Sequence, residues 1–125
     1  MADHDHPVDP DRVQRARSAQ LTHAEAEDFS ALLGVIGEPA RARILTALLV
    51  ADEMCVGDIA MALDLTEDAV SYGLRILRQR GLVERRAAGR LGYYRVVDGP
   101  RRQQLLAALE RLGELARARQ TRSDD

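Results

Sequence analysis

From Leu21 onward, apolar residues recur at three- and four-residue intervals, then switch to a short alternating stretch, then return to helical spacing. Thr22 and Glu25 form a capping box, and Phe29, Leu32, Leu33 and Ile36 follow on one helical face up to Gly37. Pro39 opens a second helix with Ile44, Leu45, Leu48 and Leu49 inward. Residues Val56 to Leu63 predict a short helix, Asp64-Leu65-Thr66 a tight turn, and Glu67 to Arg80 a helix that buries Val70, Leu74 and Leu77. Gly81 ends it. The alternation from Leu82 to Arg86 and from Leu91 to Val97, around Ala88-Gly89-Arg90, predicts a hairpin. Beyond Gly99 and Pro100, the spacing of Leu105, Leu106, Leu109, Leu112 and Leu115 predicts a last helix over 101–119.

Two short helices joined by a tight turn and followed by a hairpin make a winged helix-turn-helix, so the expected class is mostly α with a β-hairpin wing, α+β. Residues 1–20 lack apolar periodicity and read as a flexible arm, with a helical stretch over Arg12 to Ala19. The domain is expected over 21–119, and residues 120–125 are expected to fray as a disordered tail. With 125 residues, 46% of them hydrophobic, one core is affordable. No apolar run is long enough to span a bilayer, and the first eleven residues hold four aspartates where a secretory leader would be basic. A soluble, cytoplasmic protein is therefore expected. A single cysteine, Cys55, forms no internal disulfide and suits a reducing compartment.

The formal net charge of -2 conceals an uneven distribution. Between residues 75 and 102 stand nine arginines against Glu84 and Asp98 alone, and every basic residue in the chain is arginine. Guanidinium groups suit phosphate and guanine edges. A basic surface by itself is usually only solvated, but here it coincides with the helix-turn-helix and the hairpin. Thr66, Glu67, Asp68, Ser71, Tyr72 and Arg75 occupy the exposed first turns of the second helix of the pair, with Arg78 one turn on. Arg85 and Arg86 lie on the first wing strand and Arg90 at its tip. The expected partner is double-stranded DNA. There is no phosphate-cradling glycine loop, no HExxH pair and no nucleophile with an attached base, so no catalytic residues are assigned and an enzyme is not expected.

Residues 38 to 99 resemble the ArsR/SmtB family of bacterial winged-helix repressors. The resemblance rests on Pro39-x-Arg41 with Ile44-Leu45, on Cys55-Val-Gly-Asp58-Ile-Ala, on Ala69-Val-Ser71 with Leu74-Arg75-x-Leu77-Arg78, and on Gly81-Leu-Val83 through Gly89-Arg90 to Tyr94. It implies a homodimer built from the first and last helices, seated on an inverted-repeat operator and released by an inducer, commonly a metal ion. The leucine stripe of the last helix, wider than one side of a small monomer must cover, agrees. The reading helix departs from the family pattern Ser-x-Ser-x-Val-Ser-x-His-Leu, with Thr66-Glu-Asp68-Ala-Val-Ser71-Tyr72-Gly73-Leu in its place. Glu67 and Asp68 favour a helix N-terminus but repel phosphates, and Gly73 costs about 1 kcal/mol inside a helix.

Cys55 and Asp58 are three positions apart at the start of a helix, where a thiolate and a carboxylate can share a metal. Two ligands leave a tetrahedron incomplete. In the metal sensors that this stretch resembles, the partner subunit's N-terminal arm completes the site, which here implies His4 and His6; His23 stands farther along. Zinc is the expected ion, with cadmium, cobalt or mercury as competitors. The family's second metal site, across the last helix, is not expected, because Pro100 and Arg111 stand where histidines would be, beside Asp98 and Glu114. Three alternatives stay open: Cys55 as an inert small hydrophobe, Cys55 as a thiol sensing oxidants or electrophiles in the same fold, and a winged helix used for protein contacts.

Overall fold

A computed structural model of the protein describes residues 6–124. In chain order it contains α1 (Pro10–Ala19), α2 (His23–Ile36), α3 (Pro39–Ala51), β1 (Met54–Cys55), α4 (Val56–Leu63), α5 (Glu67–Gln79), β2 (Val83–Ala88), β3 (Leu91–Val96) and α6 (Pro100–Asp124). The chain divides into two compact units, one ending at Leu33 and the other beginning at Gly34. The mostly helical winged helix-turn-helix predicted from the sequence is the observed fold.

In the first unit, Asp9 caps α1 by accepting from Arg12 N at 3.0 Å, so that helix starts at Pro10, two residues before the expected stretch. The capping box ahead of α2 forms as read: Thr22 N donates to Glu25 Oε1 at 2.8 Å and Glu25 N to Thr22 Oγ1 at 3.1 Å. Those bonds hold the Glu25 carboxyl below its ordinary value. The apolar face of α2 is not uniformly covered. Ile36 and Val35 are buried, whereas Phe29 and Leu33 are 55% and 44% exposed.

The core lies in the second unit. Ile44, Leu45 and Leu48 of α3, Ile59 of α4, Val70, Leu74 and Leu77 of α5, Val96 of β3 and Leu105 of α6 are almost fully buried. Glu38 caps α3 with its carboxylate, accepting from Ala40 N at 3.1 Å and Arg41 N at 2.9 Å, while Pro39 takes the first turn, where no amide donor is needed. Arg41 folds back and donates from Nε to the Val35 carbonyl.

The tight turn between α4 and α5 places Asp64 at φ 55°, in the left-handed region that ends a helix, with Leu65 N donating to Ala60 O at 3.0 Å. Thr66 then caps α5, its hydroxyl accepting from Ala69 N at 3.1 Å. Gly81, at φ 74°, releases the chain from α5, and Leu82 N donates back to Leu77 O at 3.0 Å. The sheet has the order β1-β3-β2, all antiparallel. Ala88 pairs with Leu91 across a two-residue turn whose first position, Gly89, needs a positive φ of 62°.

Two features were not legible in the sequence. Met54 and Cys55 form β1, pairing with Tyr94 and Tyr93, so the segment ahead of α4 is a third strand of the wing sheet. The last helix continues to Asp124 instead of ending at 119. Its 25 residues span about 37 Å at 1.5 Å per residue. Leu105 is buried, whereas Leu112 and Leu115 are 53% and 68% exposed.

Candidate functional site

Three segments of the second unit converge on one side of the sheet: the β1–α4 junction, the N-terminal turn of α5 and the wing. Between them lies a cleft of about 230 Å³ that brings together Cys55, Gly57, Glu67, Arg85, Arg90 and Tyr94. Each arrives for a local reason. Cys55 ends β1 and occupies the cap position of α4 without a side-chain capping bond, so its thiol, half-buried, is left for the cleft. Glu67 is the first residue of α5, and its Oε1 lies 3.3 Å from where a Cβ on Gly57 would stand, so the glycine admits the carboxylate to the start of α4. Arg85 lies across the backbone of Gly92, where any Cβ would overlap its guanidinium.

The residues expected to read DNA divide into three groups. Asp68, Ser71, Tyr72, Arg75 and Arg78 are exposed along α5, with the Arg75 guanidinium stacked over the Tyr72 ring at 5.5 Å. Arg90 is exposed at the wing tip. The others are exposed as well, but the Thr66 hydroxyl caps α5, Glu67 borders the cleft, and Arg86 forms a two-pronged ion pair with Glu53. Arg86 Nη2 lies 2.8 Å from Glu53 Oε1 and Nε 3.1 Å from Oε2, and its guanidinium covers the Tyr93 ring at 5.1 Å. The hydrogen bonds from Arg86 hold the Glu53 carboxyl below its ordinary value and raise that of Arg86. Sequence reasoning missed Glu53, because nothing in the spacing announces a partner 33 residues away.

Of the residues expected to hold a metal, Cys55 is half-buried and Asp58 exposed in the first turn of α4. His6 is exposed in the first unit, and His4 lies outside the described residues. Among the described residues no three or more His, Cys, Asp or Glu side chains gather into a metal-binding group. The carboxylate of Asp98 accepts from Arg95 Nη2 at 2.8 Å.

Residues 38–85 match the model of the bacterial regulatory protein arsR family, a span that runs from the cap of α3 into the wing. The chain is 32% identical over 87 residues to the cadmium resistance transcriptional regulatory protein CadC of Listeria innocua, covering 70% of this chain and 72% of that one. The chain belongs to the ArsR family. This ArsR-family chain is also 35% identical over 88 residues to the transcriptional repressor SmtB homolog of Synechocystis, spanning 70% of its own length and 66% of that relative's. Among solved structures it resembles the AntR antimony-specific transcriptional repressor, with a TM-score of 0.69 and 30% identity over 92% of this chain and 98% of that one. The family consists of DNA-binding transcription regulators, not enzymes. No helix among the described residues is long and apolar enough to cross a membrane.

Proposed function

We propose that this regulator is a repressor that binds an inverted-repeat operator as a homodimer and is released by a metal ion held at Cys55 and Asp58 with His4 and His6 of the N-terminal arm. The observation that carries the reading is the place of Cys55: it is paired through β1 with Tyr93 of the wing and shares a cleft with Glu67 of α5 and with Arg90. Whatever draws on this thiol acts on the segment that joins the wing to the helix-turn-helix. Arg75, stacked on Tyr72, points a planar fork from α5 toward base edges, and Arg90 supplies charge for a phosphate. The exposed leucines of α6 are the surface offered to a second copy.

A thiolate, a carboxylate and imidazoles together fit zinc or cadmium, and the relatives named for cadmium resistance and antimony support a soft-metal signal. Cys55 and Asp58 alone would supply half of a four-coordinate shell, which is why the arm histidines belong to the proposal. Bound metal supplies a cross-link between the arm and the β1–α4 junction. The protein's own residues do the rest: β1 transmits any displacement to β3 through the Cys55–Tyr93 and Met54–Tyr94 pairs. Metal and DNA then oppose each other reciprocally.

A second reading keeps the regulator and changes the signal. Arg85 and Arg90 line the same cleft as Cys55, whose half-buried thiol is a group that oxidants and electrophiles can modify. Fluorescence anisotropy on DNA from upstream of the protein's own gene, with chelator, with cadmium or zinc, and with peroxide, decides between them. Release by metal in the wild type and not in Cys55→Ser supports the metal sensor; release by peroxide alone supports the thiol sensor. Indifference of the wild type to all three removes Cys55 from the mechanism.

A further inference from the structure

Glu53 and Arg86 stand on different elements, 33 residues apart, and meet through two hydrogen bonds of 2.8 and 3.1 Å. Glu53 precedes β1 directly, while Arg86 sits in the middle of β2 and pairs across the ladder with Tyr93, the residue that also pairs with Cys55. The guanidinium covers the Tyr93 ring at 5.1 Å, so one side chain spans from β2 over β3 to the segment leading into β1. Of the two wing strands, β3 is half-buried against the body, whereas β2 is the outer one. The base of the wing is anchored where Val83 and Val96 are buried, but from Glu84 to Ala87 the first wing strand is exposed, and β1 contributes only two residues to the sheet.

We infer that Arg86 is a positioning residue and not a phosphate contact: with Glu53 it fixes the wing's angle to the helix-turn-helix, so that Arg90 and Arg75 meet one DNA duplex together. The geometry of a fork on a carboxylate carries direction as well as attraction, which a single point contact lacks. With both nitrogens that face Glu53 committed, and its plane laid on Tyr93, Arg86 has little freedom to follow a phosphate. Arg90, at the turn, is placed to do so. The sequence puts Arg85, Arg86 and Arg90 in one basic group, and the structure gives them different jobs.

The inference rests on the DNA-binding reading and makes Glu53, a carboxylate beside a DNA-binding wing, favourable to DNA binding. Simple charge counting requires the opposite sign. The test uses the full chain and the tightest duplex selected in vitro by the wild type from a random library, with anisotropy measured over a range of salt concentrations. Failure to select any duplex would instead overturn the DNA-binding reading and this inference with it. Glu53→Gln is expected to weaken binding by roughly threefold to tenfold, the scale of one well-oriented ion pair. Arg86→Gln is expected to match it, with the salt slope unchanged in both. The exchanged pair, Glu53→Arg with Arg86→Glu, is expected to recover most of the affinity. Binding strengthened or unchanged in Glu53→Gln, a slope smaller by about one phosphate in Arg86→Gln, or an exchanged pair weaker than either single variant, would each show that Arg86 touches the backbone. Melting curves with all variants folded at the assay temperature accompany the comparison, and the milder Arg86→Lys replaces any that is not.

Discussion

A Cβ built on Gly73 would stand 2.9 Å from Cδ1 of Ile44, closer than packed side chains come. Helix α5 packs on α3 here, with Gly73 buried in the middle of α5 against the end of the Ile44 side chain. What looks in the sequence like a flaw of about 1 kcal/mol in helix propensity leaves room for the buried Ile44 side chain at this crossing.

Gly73→Ala is accordingly expected to destabilise the fold by about 1 kcal/mol net, overpacking of roughly 1–3 kcal/mol outweighing the propensity gained. Ile44→Val removes the offending Cδ1, so the double variant should be more stable than the two single effects predict when added. Urea denaturation of the four proteins at one fixed concentration checks it; strict additivity would mean that α5 shifts aside instead of pressing on Ile44.

Arg90 and Arg75 should differ in kind. Arg90→Ala is expected to weaken binding to all duplexes alike and to reduce the salt slope by about 1, as for a lost phosphate contact. Arg75→Ala is expected to cost about 1–3 kcal/mol on the preferred duplex and to relax the preference at one base position. Tyr72→Ala, which removes the ring under Arg75, should show a weaker form of the same relaxation. Competition binding with single-base variants of the selected duplex separates these outcomes.

The exposed leucines of α6 set a test of the homodimer. Leu112→Asp, at a position 53% exposed, leaves the core residue Leu105 untouched. Sedimentation is expected to show a monomer, with operator affinity falling roughly 100-fold or more as the second half-site is lost. An unchanged dimer that still binds would move the interface away from this stretch of α6.

Acid should loosen α3 before it reaches the core. The backbone amides of Arg41 and Ala40 hold the Glu38 carboxyl below its ordinary value. A depressed folded pKa means that its stabilising effect is fully present above the unfolded value, near 4.3, and is lost as the pH falls through the folded one. Glu38→Gln should thus lower the melting temperature at neutral pH and flatten the decline below about pH 5. Parallel acid limbs in the two proteins would contradict this.

The metal reading adds a partition among ligands. With cadmium, wild-type affinity for DNA is expected to fall by roughly 5- to 150-fold, the usual range of such couplings. Cys55→Ser should abolish the charge-transfer absorbance of cadmium-bound thiolate along with the release, whereas His4→Ala with His6→Ala should retain the absorbance and lose the release. That separation follows from assigning capture to the thiol and the cross-link to the arm.

Much of this fold was legible in one dimension because its determinants are local. The Thr22–Glu25 box, the Glu67 to Gln79 helix behind its Thr66 cap, the Gly89 turn and the spacing of Val70, Leu74 and Leu77 each depend on residues within a few positions of one another. The same holds for the Cys55–Asp58 pair and the arginines of the wing, which is why the family could be recognised from them. The remainder depended on contacts between segments remote in the chain. β1 is two residues long and owes its existence to Tyr93 and Tyr94, the Arg86–Glu53 pair closes across 33 positions, and the need for Gly73 comes from Ile44 on another helix. Spacing rules carry no information about such meetings. Sequence alone determined the helices and the wing hairpin and which residues carry charge or a thiol; tertiary structure added β1 and decided which of those charges stand unpaired on the surface and which are paired across the wing, because that choice is made by distance in space.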